Sequence, residues 1–413
     1  MAESNNILSG IRVIDCGTYI AGPAAAVVMS DFGADVIKIE RPPHGDPYRY
    51  LGLVPGMPIS SIPYSWILDS RNKRSLALDL NDAAARDALM KLVATADVFI
   101  TNYQPPLVRK FRVAFEDLAP VNHRLVYAYL SGYGLAGDEA DMPGYDVTAY
   151  WARSGMMSSM HNADAEPCQS SAGFGDHPTS MALFSGIMLG LYRRALTGQG
   201  MNVTTSLMAS GAWANSCAIQ AALVGAQFLP KWTRATTVNP IVNHYVTRDQ
   251  ARFMTCCLDP RKDWPNLCHA LGHPEWIDDP RFVTPEYRRT NSRLLVAMID
   301  AAVAEKDMAE WKEIFRLHEV IWAPVPRTEQ VAHDPQMEAN GVFAEIEPGL
   351  RTVASPLTVA GVEKVKPRMA PEVGQHTIEV LTSLGYSQDA IGDLLRRGVA
   401  MDPSEQKQER QAR

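Results

Sequence analysis

The residues best suited to chemistry in this chain lie in GFGDHPTSM, residues 173–181. Asp176 follows two glycines, Gly173 and Gly175, and precedes Pro178, which suits the first turn of the apolar helical run behind it. A carboxylate at that point sits beside the positive end of a helix dipole, which favours its ionised form. Two roles fit it. It can match the dipole or cap the helix N-terminus, or it can attack a reactive acyl group, with the glycines leaving room for a substrate to come close. Residue types alone leave both open.

Other motifs carry less. SGYGLAG (131–137) places Gly132, Gly134 and Gly137 at G-x-G-x-x-G spacing after a strand-like run. The dinucleotide fingerprint needs a helix opening at its third glycine, so that N–H groups meet the pyrophosphate. Acidic DEADMPGYD follows instead, with Pro143 inside it, so nicotinamide or flavin binding is not expected. GTYIAGP (17–23), with Glu40 after the next strand, has two glycines where that fingerprint wants three. It either presents amides to a nucleotide-like ligand at the strand ends, where open α/β sheets bind, or only shapes a turn. Arg41, Lys73, Arg74, Arg109 and Lys110 fall near strand ends, as a solvated rim or as a clamp for an anionic ligand. There is no G-x-x-x-x-G-K-S/T loop, H-E-x-x-H helix or G-x-S-x-G elbow. His269 and His273 stand at i, i+4, but Gly272 and Pro274 beside the latter speak against a helical metal face.

The elements that must position these residues are legible from periodicity. IRVIDCG (11–17), VIKIE (36–40), RSLALDL (74–80), DVFITN (97–102) and LVYAYLSG (125–132) read as strands, separated by the helical GPAAAVVMSDFG (22–33) and DAAARDALMKLVATA (82–96). Such alternation implies right-handed crossovers and a parallel sheet covered on both faces, an α/β fold. Residues 139–177 show no period; a helix is expected at 179–195, a strand at 202–208 and a helix at 209–225. Near 226 the chain turns polar, and 226–332 reads as an inserted smaller α+β domain with a hairpin (244–258), helices around 290–317 and an extended APVPR (323–327). The large domain thus comprises 1–225 and the returning segment 333–413, with short strands at 341–362, a helix in GQHTIEVLTSLGY (374–386) and a frayed polar tail at 403–413.

Composition sets the class. The 413 residues are 46% hydrophobic and 21% charged, enough for a large core, which excludes a disordered or fibrous chain. The formal charge of -7 speaks against a basic nucleic-acid surface. Six cysteines without a C-x-x-C pair suggest small buried residues in a reducing cytoplasm. The start, MAESNNILSG, lacks the pattern of a signal peptide, and the most apolar stretch, Met181 to Tyr192, falls short of the ~20 residues that span a bilayer. A soluble, cytoplasmic protein is expected, with no membrane or nucleic-acid partner.

Ordered landmarks over nearly the whole chain resemble the class III CoA-transferases, which include formyl-CoA, carnitine and 2-hydroxyacid CoA-transferases and the related α-methylacyl-CoA racemases. They are residues 8–49, NKRSLALDL (72–80), ADVFITNYQPP (96–106), SGYGLAGDEADMPGYD (131–146), GFGDHPTSM, LTGQGMNVTTSLM (196–208), HDPQMEANGVF (333–343) and GQHTIEVLTSLGY. PGYDVTAYWARSG with GFGDH is most similar to the branch acting on 2-hydroxy- and aryl-acrylic acids. The resemblance implies an interlocked homodimer, with a Rossmann-like large domain built from both chain ends. It puts the family's nucleophile on Asp176, working through an aspartyl-acyl anhydride and an aspartyl-CoA thioester. CoA or acyl-CoA is implied as substrate, with no permanently bound cofactor and no metal. Among CoA-binding positions, Tyr19 and Ile20 would offer backbone groups and Arg41 would meet the adenine and phosphate end. Leu78, Asn102, Tyr103 and Lys110 would line the nucleotide and pantetheine path, and Tyr145 would stand close to the thioester.

The chain departs from the family pattern in places. Ile20 stands where some transferases carry Gln. Lys110 replaces a frequent Arg, keeping the charge but losing the bidentate fork. No glycine-rich flap is evident in 226–260, which argues against oxalate or formate. Racemases resemble G-H-D where this chain has Gly144-Tyr145-Asp146, and a tyrosine with an ordinary pKa near ~10 is a poor base at neutral pH. A transferase is therefore the expected activity; an α-methylacyl-CoA racemase or epimerase and a non-catalytic CoA-binding paralogue are the alternatives. Tyr150, Trp151, Met156, Met157 and Met160 line an acyl pocket or belong to ordinary core.

Overall fold

A computed structural model describes residues 6–404, so the polar tail from residue 405 on and the first five residues lie outside the described residues. Short β-branched and aromatic runs, buried on both faces except at the edge strand Met201–Ser206, form a parallel sheet. Its strands are β1 (Arg12–Asp15), β2 (Asp35–Glu40), β3 (Arg74–Leu78), β4 (Val98–Thr101), β5 (Val126–Ser131) and β6 (Met201–Ser206), in the order β3-β2-β1-β4-β5-β6. Val13 lies in register with Val36 on one side and Val98 on the other. The winding direction reverses between β1 and β4, and a sheet of this kind opens a crevice at the carboxyl ends of those strands. One strand departs from the parallel expectation. Ala400–Met401 pairs antiparallel with β3, Ala400 opposite Leu78, and so covers ladder groups that an open edge would expose.

The helix α1 (Ala21–Asp31) is buried along its whole length, which explains why small residues rather than an amphipathic stripe encode it. Asp82 caps the next expected helix, its side chain accepting the Ala84 N–H at 2.8 Å. The expected strand at 202–208 ends earlier, at Ser206, because the Ser206 hydroxyl accepts the Ala209 N–H and starts a helix, Leu207–Ala214. The single helix expected over 209–225 is two, broken at Asn215, whose side-chain amide donates to the Ser154 carbonyl. The aperiodic stretch contains a π-helical turn, Asp146–Ala152.

The chain divides into two compact units. One holds the described residues up to Ser158, Gln169–Val224 and the described residues from Gly341 on; the other holds Ser159–Cys168 and Gly225–Asn340. The second unit has a three-stranded antiparallel sheet, His244–Val246, Arg252–Thr255 and Trp322–Pro324, around a core that includes Tyr245, Phe253, Trp311 and Phe315. Among the described residues no helix is long and apolar enough to cross a membrane. The cysteines are not uniformly buried: Cys16, Cys257 and Cys268 are, while Cys168, Cys217 and Cys256 are exposed.

Charged residues inside the apolar strand runs are the unusual feature of the larger unit. Asp15 on β1, Lys38 on β2 and Lys73 just before β3 have fully buried side chains. Lys73 Nζ lies 2.7 Å from Asp15 Oδ2, and Lys38 Nζ lies 2.8 Å from Asp46 Oδ2. Burial alone would raise the Asp15 pKa, but the charges of Lys38 and Lys73 hold it below the usual carboxylate value. Lys73 is therefore neither rim nor clamp. Removing one partner leaves the other as an unpaired buried ion, which costs about 3–5 kcal/mol. Lys73→Met should lose that much in urea unfolding, and Asp15→Asn combined with Lys73→Met should recover part of it.

Candidate active site

The buried ions hold the turn after β1. Gly17 donates its N–H to Asp15 Oδ1 at 3.2 Å and accepts from Lys38 Nζ at 2.6 Å. Thr18 is clamped by the Asn102 amide, which accepts its N–H at 2.8 Å and donates to its carbonyl at 2.7 Å. The Tyr19 N–H donates to Asp46 Oδ1 at 3.1 Å, and Lys73 donates to the Pro23 carbonyl at 2.8 Å. Tyr19 adopts φ 59°, a left-handed conformation that costs a non-glycine residue about 1–3 kcal/mol and persists only where neighbours enforce it. Its ring then meets Tyr145 edge-on, centroids 5.6 Å apart.

Two cavities open along this turn at the carboxyl ends of β1 and β4, the crevice that the strand order predicts. The first, about 260 Å³, is lined by Tyr19, Ile20, Asn102, Tyr103, Tyr145 and Asp176, among others. The second, about 610 Å³, is lined by Arg41, Leu78, Tyr103 and Lys110 and by the loop from Pro42 to Pro47. They share Thr18, Tyr103 and Leu107, so one continuous path runs past the turn. Asp176 and the eight CoA-binding positions that the resemblance implied thus line one cavity or the other.

Their surroundings differ from what the resemblance implied in three respects. The Thr18 and Tyr19 amides are already committed within the protein, so the turn has fewer N–H groups free for a ligand. Asn102 acts as the clamp on that turn. Ile20 and Leu78 are buried and show the path only a small part of their surface. Of the basic residues, Arg74 is paired with Asp35 and Glu379, and Arg109 with Asp141. Arg41 and Lys110 are exposed beside the larger cavity, Arg41 only loosely tied to Asp79 at 3.9 Å.

Asp176 opens the 22-residue helix Asp176–Thr197 with Gly175 as its N-cap. Among the described residues its carboxylate makes no hydrogen bond or ion pair, so it caps nothing. The dipole expectation holds only in part. Burial, then the charges of Asp146 and Asp69, push its pKa up to about 7, with His177 opposing them. Gly175 also has a different reason from the one expected. A Cβ there would meet the Tyr150 ring at 2.3 Å, so the glycine makes room for a core side chain rather than for substrate. Tyr150, Trp151 and Met156 are core residues, and none lines either cavity.

Several residues that shape the site were not singled out from sequence: Asp15, Lys38, Asp46, Tyr48, Asp69 and Asp146. A usable signal existed for Asp15 and Lys38, charged residues within strand runs otherwise buried on both faces. Asp46, Tyr48 and Asp69 lie in segments with no such pattern.

The family model described as CoA-transferase family III matches residues 8–377. The chain is similar to the cinnamoyl-CoA:phenyllactate CoA-transferase of Clostridium sporogenes, 31% identical over 402 residues, 95% of this chain and 97% of that protein. It is also similar to the (R)-2-hydroxy-4-methylpentanoate CoA-transferase of Clostridioides difficile, 29% identical over 394 residues, 94% of this chain and 98% of that protein. Among solved structures, a CAIB/BAIF family protein from Brucella suis superposes with a TM-score of 0.80 at 25% identity, over 92% of this chain and all of that one.

The close approach of Tyr150 makes position 175 a sensitive control on where Asp176 sits. Gly175→Ala should lower kcat/KM about 100-fold in a protein that stays folded by circular dichroism, because an added methyl must displace either the ring or the helix start. Unchanged kcat/KM would show that Asp176 tolerates that shift.

Proposed function

The chain belongs to CoA-transferase family III and is a CoA-transferase of that class, and from that premise we propose that Asp176 carries the transferred group covalently. The observation supporting this is that Asp176, with no hydrogen-bonding or ionic partner among the described residues, is the one carboxylate lining the smaller cavity. That cavity continues into a larger one flanked by two exposed cations, Arg41 and Lys110, suited to the phosphates of CoA.

A carboxylate oxygen of Asp176 attacks the donor thioester carbonyl, the C–S bond breaks, and CoA leaves as thiolate with an aspartyl-acyl anhydride behind it. The thiolate attacks the aspartyl carbonyl of the anhydride, which releases the donor acid as carboxylate and leaves an aspartyl-CoA thioester. An acceptor carboxylate attacks that thioester to form a second anhydride and free thiolate. Attack of the thiolate on the acceptor's carbonyl then yields the new acyl-CoA and restores the Asp176 carboxylate. Each displacement takes place at an activated acyl carbon, so covalent catalysis divides one hard displacement into easier ones. Tyr103, Tyr19 and Tyr145 would flank the path of the acyl-CoA.

For the acid we propose a 2-hydroxy- or aryl-acrylic acid. Two similar proteins bear names of this class, and Tyr19, Tyr145, Leu107, Leu130 and Leu207 give the smaller cavity a largely aromatic and aliphatic wall. We further propose a cytoplasmic homodimer. Exposed Leu189, Tyr192, Leu196 and Trp213 offer apolar surface for association, and cysteine spacing without a C-x-x-C pair suits a reducing compartment.

Asp176→Asn should reduce exchange of labelled CoA into free acid at least about a thousandfold. Borohydride added during turnover of the wild type should reduce the aspartyl thioester and change the mass of the peptide holding Asp176. Substantial exchange in pure Asp176→Asn would refute the nucleophile. Because the nucleophile must be ionised, kcat/KM should rise about tenfold per pH unit at acid pH and level off above about 7.

A further inference from the structure

The residue after the proposed nucleophile, His177, is held by an acceptor on each ring nitrogen. Nδ1 lies 3.0 Å from the Gly173 carbonyl oxygen, and Nε2 lies 3.2 Å from Asp69 Oδ1. A carbonyl oxygen has no proton to give, so Nδ1 must donate. Asp69 is buried, and its Oδ2 accepts a hydrogen bond from the Tyr48 hydroxyl at 2.7 Å, which leaves Oδ1 to His177. Paired with that carboxylate oxygen, Nε2 donates as well. A neutral imidazole carries one N–H and an imidazolium two, so this arrangement selects the cation.

We propose, resting on the assignment of Asp176 as nucleophile, that His177 is a standing imidazolium fixed by Gly173 and Asp69, and that it is the positioning residue that keeps Asp176 ionised for attack. The carboxylates of Asp146 and Asp69 oppose ionisation of Asp176 and His177 favours it, while Asp176 in turn holds the Tyr48 phenol protonated. Asp146 accepts the Gly175 N–H and crowds the start of the same helix with negative charge. Without a counter-charge, three carboxylates near one helix start would favour protonation of the least satisfied of them, which is Asp176. Burial opposes the charge on His177, but the hydrogen bond and charge of Asp69 prevail and raise its pKa to about 9.

His177 does not line the path of the acyl-CoA. It faces a separate cavity of about 500 Å³ together with Asp69, Arg71 and Met181, so it acts through Asp176 rather than on substrate. The turn before it is built to seat the ring. Gly173 has φ +79°, and a Cβ there would come within 3.0 Å of the imidazole.

The test is the acid limb of the pH profile of kcat/KM for CoA exchange in the full-length protein. His177→Gln should move that limb up by about one pH unit, a loss of about tenfold at pH 6 with the alkaline plateau kept within about threefold. His177→Lys, which restores a cation, should move the limb back towards the wild type. A merely structural role would lower both arms of the profile together, and a limb unmoved in active His177→Gln would overturn the proposal. A second measurement does not depend on that variant folding. Nitrogen-15 histidine spectra of the wild type at pH 7.5 should show both ring nitrogens of His177 protonated, its signal identified by a shift to lower pKa in Asp69→Asn. A neutral tautomer there would overturn the proposal equally. Exchange persisting in Asp176→Asn would instead overturn the nucleophile itself, so the two failures are distinguishable.

Discussion

Two lysines and two aspartates, withdrawn from water behind the first βα turn, hold the backbone on which the site is built. Each buried ion carries a desolvation cost of several kcal/mol, and their hydrogen bonds to Gly17, Tyr19 and Pro23 show what that cost accomplishes. With Asn102 clamping Thr18, the turn is fixed at nearly every residue. Such a turn can hold Tyr19 in a left-handed conformation and keep its ring against Tyr145. A looser turn would relax that strain and release the Tyr19 ring from Tyr145.

The same principle, charge placed where water is excluded, governs the helix that carries Asp176. A carboxylate at a helix N-terminus is favoured by the dipole, yet burial and two nearby carboxylates oppose it more strongly. The result is an acid whose ionisation falls near neutral pH instead of far below it. For a nucleophile this is useful. A carboxylate of higher basicity attacks a thioester more readily, provided enough of it is ionised.

Much of the fold was legible in the residues. Buried strands announce themselves through β-branched runs, and α1 through its small residues, because both patterns report burial directly. The placement of Asp176 ahead of an apolar helix, flanked by Gly173, Gly175 and Pro178, was equally visible. What the glycine at 175 is for was not visible. Its reason is the Tyr150 ring, which lies 25 positions earlier in sequence and which residue types alone could not place. Asp69 and Tyr48 were hidden for the same cause. Each lies in an aperiodic segment, and each matters only through a partner far along the chain.

From sequence alone come the α/β class, the order of the strands along the chain, the family landmarks and the identity of the carboxylate at the head of its helix. These are local properties, set by side-chain period and by residues close to one another in the chain. Tertiary structure decided which charges lose their water, which partners they then find, and that His177 has an acceptor on each nitrogen. Electrostatic energy depends on distance and on exclusion of solvent, and neither quantity exists until remote segments pack together.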